Sequence, residues 1–405
     1  MQKDSTTEPK AAFSSQLRTG FTTGACSAAA AKGAALMLVH QTTVREVSIT
    51  LPRVEIATFH LHGQHFSADT ASCHVVKDAG DDPDVTNGAE VHACVRRIPH
   101  QPHVKKGEST IIISGGEGIG KVTKPGLAIP PGEWAINPVP RRMIEESVAC
   151  ALFPTPEART LTTDTFLVTI SIPDGEERAK KTLNARLGII GGLSILGTTG
   201  IVRPISAKAW TDTIDAALDV AKACGCATVV FSTGRTSEMA AQRWLTCNPP
   251  PSLPYQGGSL FLPPDKGGLR GVAFPEEAYI MMGDHIAYAV QAASQRGFQQ
   301  PVIASQFAKL LKIACGHENT HAAASDLDLA QLLTWGEAAG LSLSTLETIA
   351  KANTAREIAI AIGFDPQLLE LLFLHTRLAI GMHASAVTAQ FLLADYNGNC
   401  IFNSR

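Results

Sequence analysis

The sequence predicts an α+β N-terminal domain followed by an α/β domain built on a parallel sheet, with a helical C-terminal end. Three observations carry this. The chain has 405 residues, which favours two domains over one. Up to about residue 205, strand and helix signals follow no regular βα repeat. From about residue 206, short apolar runs alternate with helical stretches, the rhythm of a parallel sheet.

Residues 1–16 are polar and read as a disordered tail, leaving domains at 17–205 and 206–405. A threonine cap opens a helix over Thr22–Val39. Short β-like runs follow at Val44–Leu51 and Glu55–Leu61, then a turn-rich stretch at 78–88, then strands at Thr110–Ser114 and Phe166–Ile172. In the second domain, helices at Asp212–Ala223, Thr236–Leu245, His285–Gln295 and Gln306–Ala314 alternate with strands at Ala227–Ser232, Ala278–Met282 and Pro301–Ser305. A Pro/Gly-rich excursion at 248–268 is too long for a compact connection. The remainder, to about residue 395, reads as mostly helical.

The chain is 45% hydrophobic and 18% charged, ordinary for a protein with a large core. Its net charge of −3 gives no bulk attraction to nucleic acid or to a membrane. Any anionic ligand must therefore be met by local Arg and Lys. The nine cysteines are scattered, the N-terminal stretch lacks an apolar leader, and the run Leu187–Val202 is too short to span a bilayer. Reduced thiols in a cytoplasmic protein are expected. Cys224-Gly-Cys226 has no second pair, and no metal site is assigned.

The run Gly115-Gly-Glu-Gly-Ile-Gly-Lys121 almost spells a phosphate loop. A phosphate loop needs Ser or Thr after the lysine and then a helix; here Val122 follows, and Pro125 opposes an immediate helix. A dinucleotide fingerprint fails by one residue of spacing. The glycines supply either positive φ at a turn or close backbone approach to a ligand, and four of them in six residues beside Glu117 favour the ligand. The loop 76–88 packs Asp78, Asp81, Asp82 and Asp84 together, either as solvated Asx turns or as a site in which one carboxylate is a base or faces a cation. A calcium loop does not fit, because Asn87 and Ala93 stand where glycine and glutamate are needed. Arg18, Thr22 and Thr23 at a helix start suit a carboxylate, or serve only as a cap. Asn137-Pro-Val-Pro-Arg-Arg142 reads as a rigid turn presenting guanidiniums to solvent or to carboxylates. Asn184–Gly200 either walls a flat apolar ligand or forms a strand pair with tight turns. His60, His62 and His65 form a weak candidate for metal, and Cys26 has no identifiable histidine partner.

Taken together, Leu17–Gly24, Lys77–Thr86, Gly115–Leu127, Ala135–Arg141 and Asn184–Val202 closely resemble the CbiD-type family of cobalamin biosynthesis, the cobalt-precorrin-5B C(1)-methyltransferases. The resemblance covers roughly residues 17–205; the second half is similar only in outline. It implies methyl transfer from S-adenosylmethionine to ring carbon C1 of a tetrapyrrole bearing carboxylate arms. It implies Gly115, Gly116, Glu117, Gly118 and Gly120 beside the methyl donor or the ring. Arg18, Thr22, Thr23, Lys121, Lys124, Arg141 and Arg186 are then candidates for the substrate carboxylates, and Asp81, Asp82 and Asp84 for a catalytic base or a partner of the sulfonium. A nucleotide-dependent enzyme and a non-enzymatic tetrapyrrole carrier are the competing readings. The number of subunits is left open.

Overall fold

The computed structural model describes residues 17–98, 110–153, 155, 164–204, 206–248, 274–362 and 364–403. The expected tail at 1–16 and nearly all of the excursion at 248–268 lie outside the described residues. The chain forms two compact units. One holds residues up to 121, 134–184 and 189–206; the other holds 122–133, 185–188 and 207 onward.

The first unit opens with β1 (Gly20–Phe21) and α1 (Thr23–His40). Thr22 caps α1, its hydroxyl accepting the Ala25 N–H at 3.2 Å. A helix apolar on all sides must be enclosed, and Ala25, Ala28, Ala29, Ala30, Ala31, Ala34 and Ala35 are all fully buried. These small side chains let other elements approach closely. There follow β2 (Glu46–Thr50), β3 (Ile56–His60), β4 (His62–Phe66), β5 (Thr70–Val76), β6 (Glu90–Ile98), β7 (Thr110–Gly115), β8 (Lys121–Val122), α2 (Pro138–Leu152), β9 (Thr165–Ser171), β10 (Ile189–Ile190) and β11 (Ile201–Val202). β2 and β3 form an antiparallel hairpin. A five-stranded sheet runs β4-β5-β6-β9-β7, antiparallel except for the parallel pair of β7 with β9. Its inner residues Ala71, Cys73, Val75, Val91, Ala93, Val95, Val168 and Ile170 share one core with α1 and α2.

In the second unit β12 (Val230–Ser232), β13 (Tyr279–Met281), β14 (Val302–Gln306), β15 (Gln390–Ala394) and β16 (Cys400–Asn403) form one sheet in the order β13-β12-β14-β15-β16. The first four are parallel and β16 is an antiparallel edge. Helices Ala207–Ala223, Arg235–Cys247, Ile286–Gln295 and Phe307–Ala314 accompany the strands, and four more run from Leu329 to His383.

Three details differ from expectation. The helical end stops at His383, and the chain returns to the sheet as β15 and β16. The run Asn137–Arg142 begins α2, because Pro138 and Pro140 sit in a first turn whose N–H groups need no partner within the helix. Strands β4, β5 and β6 were not anticipated. Among the described residues no helix is long and apolar enough to cross a membrane.

Candidate functional site

The entry to α1 is tied to distant segments by its backbone. Phe21 N–H donates to the Asp78 carbonyl at 2.8 Å, Thr22 N–H to Gly200 at 2.9 Å, and Gly24 N–H to Leu196 at 2.9 Å. Gly24 must be glycine here, since a Cβ would stand 2.8 Å from Pro140. Thr23 Oγ1 accepts the Leu196 N–H at 2.9 Å, and β1 pairs with β11.

Arg18 faces the acidic loop. Its guanidinium takes both oxygens of Asp78, its N–H donates to Asp81 Oδ2 at 2.6 Å, and Asp81 N–H donates back to its carbonyl at 2.9 Å. The Arg18 hydrogen bond, with a second from Gly80 N–H, holds the Asp78 carboxyl below the usual range. Asp84 accepts Lys77 Nζ at 2.6 Å, Thr86 N–H at 2.7 Å and Thr86 Oγ1 at 2.6 Å. The Lys77 side chain is 1% exposed, so this ammonium is buried with its counter-ion. Burial pushes the Asp84 carboxyl up, but the bonds from Lys77 and Thr86 outweigh it and lower it. Asp82 has an interaction of its own. Two of the four carboxylates thus have a cationic partner, Asp78 in Arg18 and Asp84 in Lys77. Cys26 lies near this ion pair, and burial pushes its thiol up to about 12, which leaves it protonated and unreactive.

The glycine loop is interlocked with the same network. Gly116 N–H donates to Ile170, Leu193 N–H to the Gly118 carbonyl, Gly120 N–H to Leu193, and Ala135 N–H to Gly120, all at 2.8–2.9 Å. Protein atoms stand where side chains would be: a Cβ on Gly118 would overlap the Ile172 carbonyl oxygen, on Gly115 the Trp134 ring, on Gly116 the Ser171 hydroxyl, and on Gly120 Ile189. Glu117 is exposed. Lys121 Nζ lies 4.5 Å from the Trp134 ring centroid. Asn137 N–H donates to Ile195, and Arg141 Nη1 donates to the Ile113 carbonyl at 3.3 Å. Arg18, Thr22, Thr23, the three aspartates, the glycine loop, Lys121 and Arg141 therefore belong to one connected network of the first unit.

Lys124 and Arg186 belong to the second unit. Lys124 Nζ pairs with Glu277 at 2.8 Å and donates to the Arg186 carbonyl at 3.2 Å. Arg186 Nη2 pairs at 2.6 Å with Glu238, whose side chain is 4% exposed. Sequence reasoning passed over Lys77 as a buried ion and Glu238 altogether. The signal for Glu238 was a strand, Ser232-Thr-Gly, and then a helix, at 230–247. On the outer face of β5 and β6, the ligand atoms of His74, Glu90 and His92 lie within 4.8 Å of one another.

A family model described as CbiD matches residues 10–204, and one described as CbiD, C-terminal domain, matches residues 319–404. The chain belongs to the CbiD family, and the likeness extends into the half that resembled it only in outline. A cobalt-precorrin-5B C(1)-methyltransferase from Pelobacter propionicus is 58% identical over 96% of this chain and 97% of its own length. One from Geobacter sulfurreducens is 52% identical over 96% of this chain and 98% of its own. A crystal structure of the cobalamin biosynthesis protein (cbiD) from Archaeoglobus fulgidus is 25% identical, covers 73% of this chain and 78% of its own, and superposes with a TM-score of 0.35.

Proposed function

We propose that this protein methylates ring carbon C1 of cobalt-precorrin-5B, or of its metal-free counterpart, in cobalamin biosynthesis, with S-adenosylmethionine as donor. The observation that carries the reading is the 58% identity, over nearly the full length of both chains, to a relative of that name. The rival use of the near-phosphate loop is not favoured, because Lys121 enters strand β8 and no helix N-terminus follows to meet phosphates.

The network of the first unit supplies groups suited to a macrocycle with carboxylate arms. Lys121 and Arg141 have no carboxylate partner among the described residues; one covers an aromatic ring and the other a carbonyl. Each could take a ring carboxylate in a charge-assisted hydrogen bond. Transfer from a sulfonium to carbon needs little acid–base help; holding both partners in line can supply about 7–11 kcal/mol of the barrier. The proton released as the ring tautomerises needs an acceptor, for which we propose the acidic loop. There Asp84 is held ionised as a counter-ion, whereas Asp81 contacts only main-chain N–H in the bonds described.

Incubating the protein with methyl-labelled donor and cobalt-loaded or metal-free precorrin-5B tests the reading. One methyl gained at the ring in either case supports it; no transfer to either overturns it. Single Asn replacements at Asp81, Asp82 and Asp84 should abolish turnover at one position, and full activity in all three would remove aspartate catalysis.

A further inference from the structure

The second unit also has a point where its sheet changes winding direction, outside the glycine and aspartate motifs above. Strands β12 and β14 are parallel neighbours, with Ser232 beside Ala304. The helix after β12, Arg235–Cys247, sends Ala241 and Leu245 to the sheet face of Val230, Tyr279, Val302 and Leu392. The helix after β14, Phe307–Ala314, sends Leu310 and Leu311 to the opposite face, with Phe231, Ile280 and Ile303. Where two adjacent strands send their helices to opposite faces, a crevice opens outside their carboxyl ends, and open α/β sheets bind ligands there.

Two buried polar atoms at this place lack partners. The Ser232 hydroxyl, on a residue with no exposure, and Glu238 Oε2, on a residue 3% exposed, make no hydrogen bond. Glu238 Oε1 is occupied by Arg186 at 2.6 Å and Gln242 at 3.2 Å. Leaving a buried acceptor unpaired is costly, more so for a charged one, so a ligand that brings donors recovers that cost. Further hydroxyls gather around the turn: Thr233 Oγ1 lies 3.3 Å from Ser237 Oγ and 3.5 Å from Ser305 Oγ. There is room as well, for a Cβ on Gly234 would meet nothing within 4 Å.

We propose that the adenosine half of S-adenosylmethionine binds at the carboxyl ends of β12 and β14, its ribose hydroxyls donating to Glu238 and meeting Ser232, over the open face of Gly234. This rests on the methyltransferase reading above. A free carboxylate oxygen in the first turn of the helix suits the neighbouring hydroxyls of a ribose. The methyltransferase reading makes that ribose the one of the methyl donor.

The test is calorimetric titration of the full chain with S-adenosylhomocysteine, with Ser232→Ala, Glu238→Gln and Gly234→Val compared with the unmodified protein. Ser232→Ala and Glu238→Gln are expected to weaken binding by about tenfold or more. Glu238→Gln also disturbs the Arg186 pair, so Gly234→Val is the decisive variant. It fills open space with an extended backbone that any residue adopts (φ 174°), so it should keep the fold, with a small drop in melting temperature from the weaker helix cap, and lose binding. If the unmodified protein binds and both Ser232→Ala and Gly234→Val bind equally well, this location is overturned and the methyltransferase reading stands. If the unmodified protein binds no S-adenosylhomocysteine, the methyltransferase reading itself falls.

Discussion

Separating the Lys77–Asp84 pair gives a prediction whose size follows from burial. The Lys77 side chain is 1% exposed and Asp84 24% exposed, with 2.6 Å between nitrogen and oxygen. Asp84→Ala strands an ammonium that water cannot reach, and removing one member of a buried pair costs about 3–5 kcal/mol. Lys77→Met is milder, because Asp84 keeps both Thr86 bonds and some water; about 1–2 kcal/mol is expected. The double variant Lys77→Met/Asp84→Asn should recover most of the Asp84→Ala loss. Amide hydrogen exchange in β5 and β6, which flank the loop, reads the opening free energy of this part of the chain. In the unmodified protein the Asp84 carboxyl sits below its unfolded value. Its stabilisation is therefore complete above the unfolded carboxylate value and fades as pH falls through the folded one. A loss under about 1 kcal/mol for Asp84→Ala would refute the idea that the ammonium depends on this carboxylate.

Other expectations follow from packing and exposure. Gly118→Ala should abolish folding or lower the melting temperature severely, because φ is +71° and Ile172 O occupies the site, whereas Gly132→Ala, at φ +94° with open space, should cost only about 1–3 kcal/mol of backbone strain in the same melts. Native maleimide labelling at neutral pH should modify the exposed Cys150 and Cys247 and spare the buried Cys26 and Cys73, both raised to about 12; early labelling of Cys26 would contradict its enclosure. Arg18→Ala should leave the melting temperature nearly unchanged, since the Asp78 pair is exposed at the surface (60% and 52%), so a raised KM for the tetrapyrrole would report on substrate contact.

The elements that the sequence announced are those whose pattern has one physical cause. The alanine-rich helix after Thr22 and the βα rhythm after residue 206 are of this kind, and both are present. β5 was hidden because its buried residues Ala71 and Cys73 are small and its outer ones, Ser72 and His74, are only half-buried, which flattens the alternation. β4 offers no apolar face at all, since none of its five residues is buried. α2 was hidden by its prolines, which signal a turn and a helix start equally well. β15 follows a long helical stretch as a five-residue run, too short for periodicity to separate strand from helix.

The candidate site was legible as a set of segments but not as a division of labour among their residues. Glycine runs look alike whether the backbone must approach a ligand or another stretch of chain, and the neighbours at Gly115, Gly116, Gly118 and Gly120 are chain. Clustered carboxylates look alike whether they await a cation or already hold one; here Arg18 and the buried Lys77 fill that role, and Lys77 stood in the motif without a reason to be singled out. What distinguishes Ser232 and Glu238 is the reverse, a buried polar atom left without a partner, and such a deficit exists only in three dimensions. The sequence points to where chemistry-bearing residues gather, while the unmet hydrogen bonds of Ser232 and Glu238 are what the proposed nucleoside place rests on.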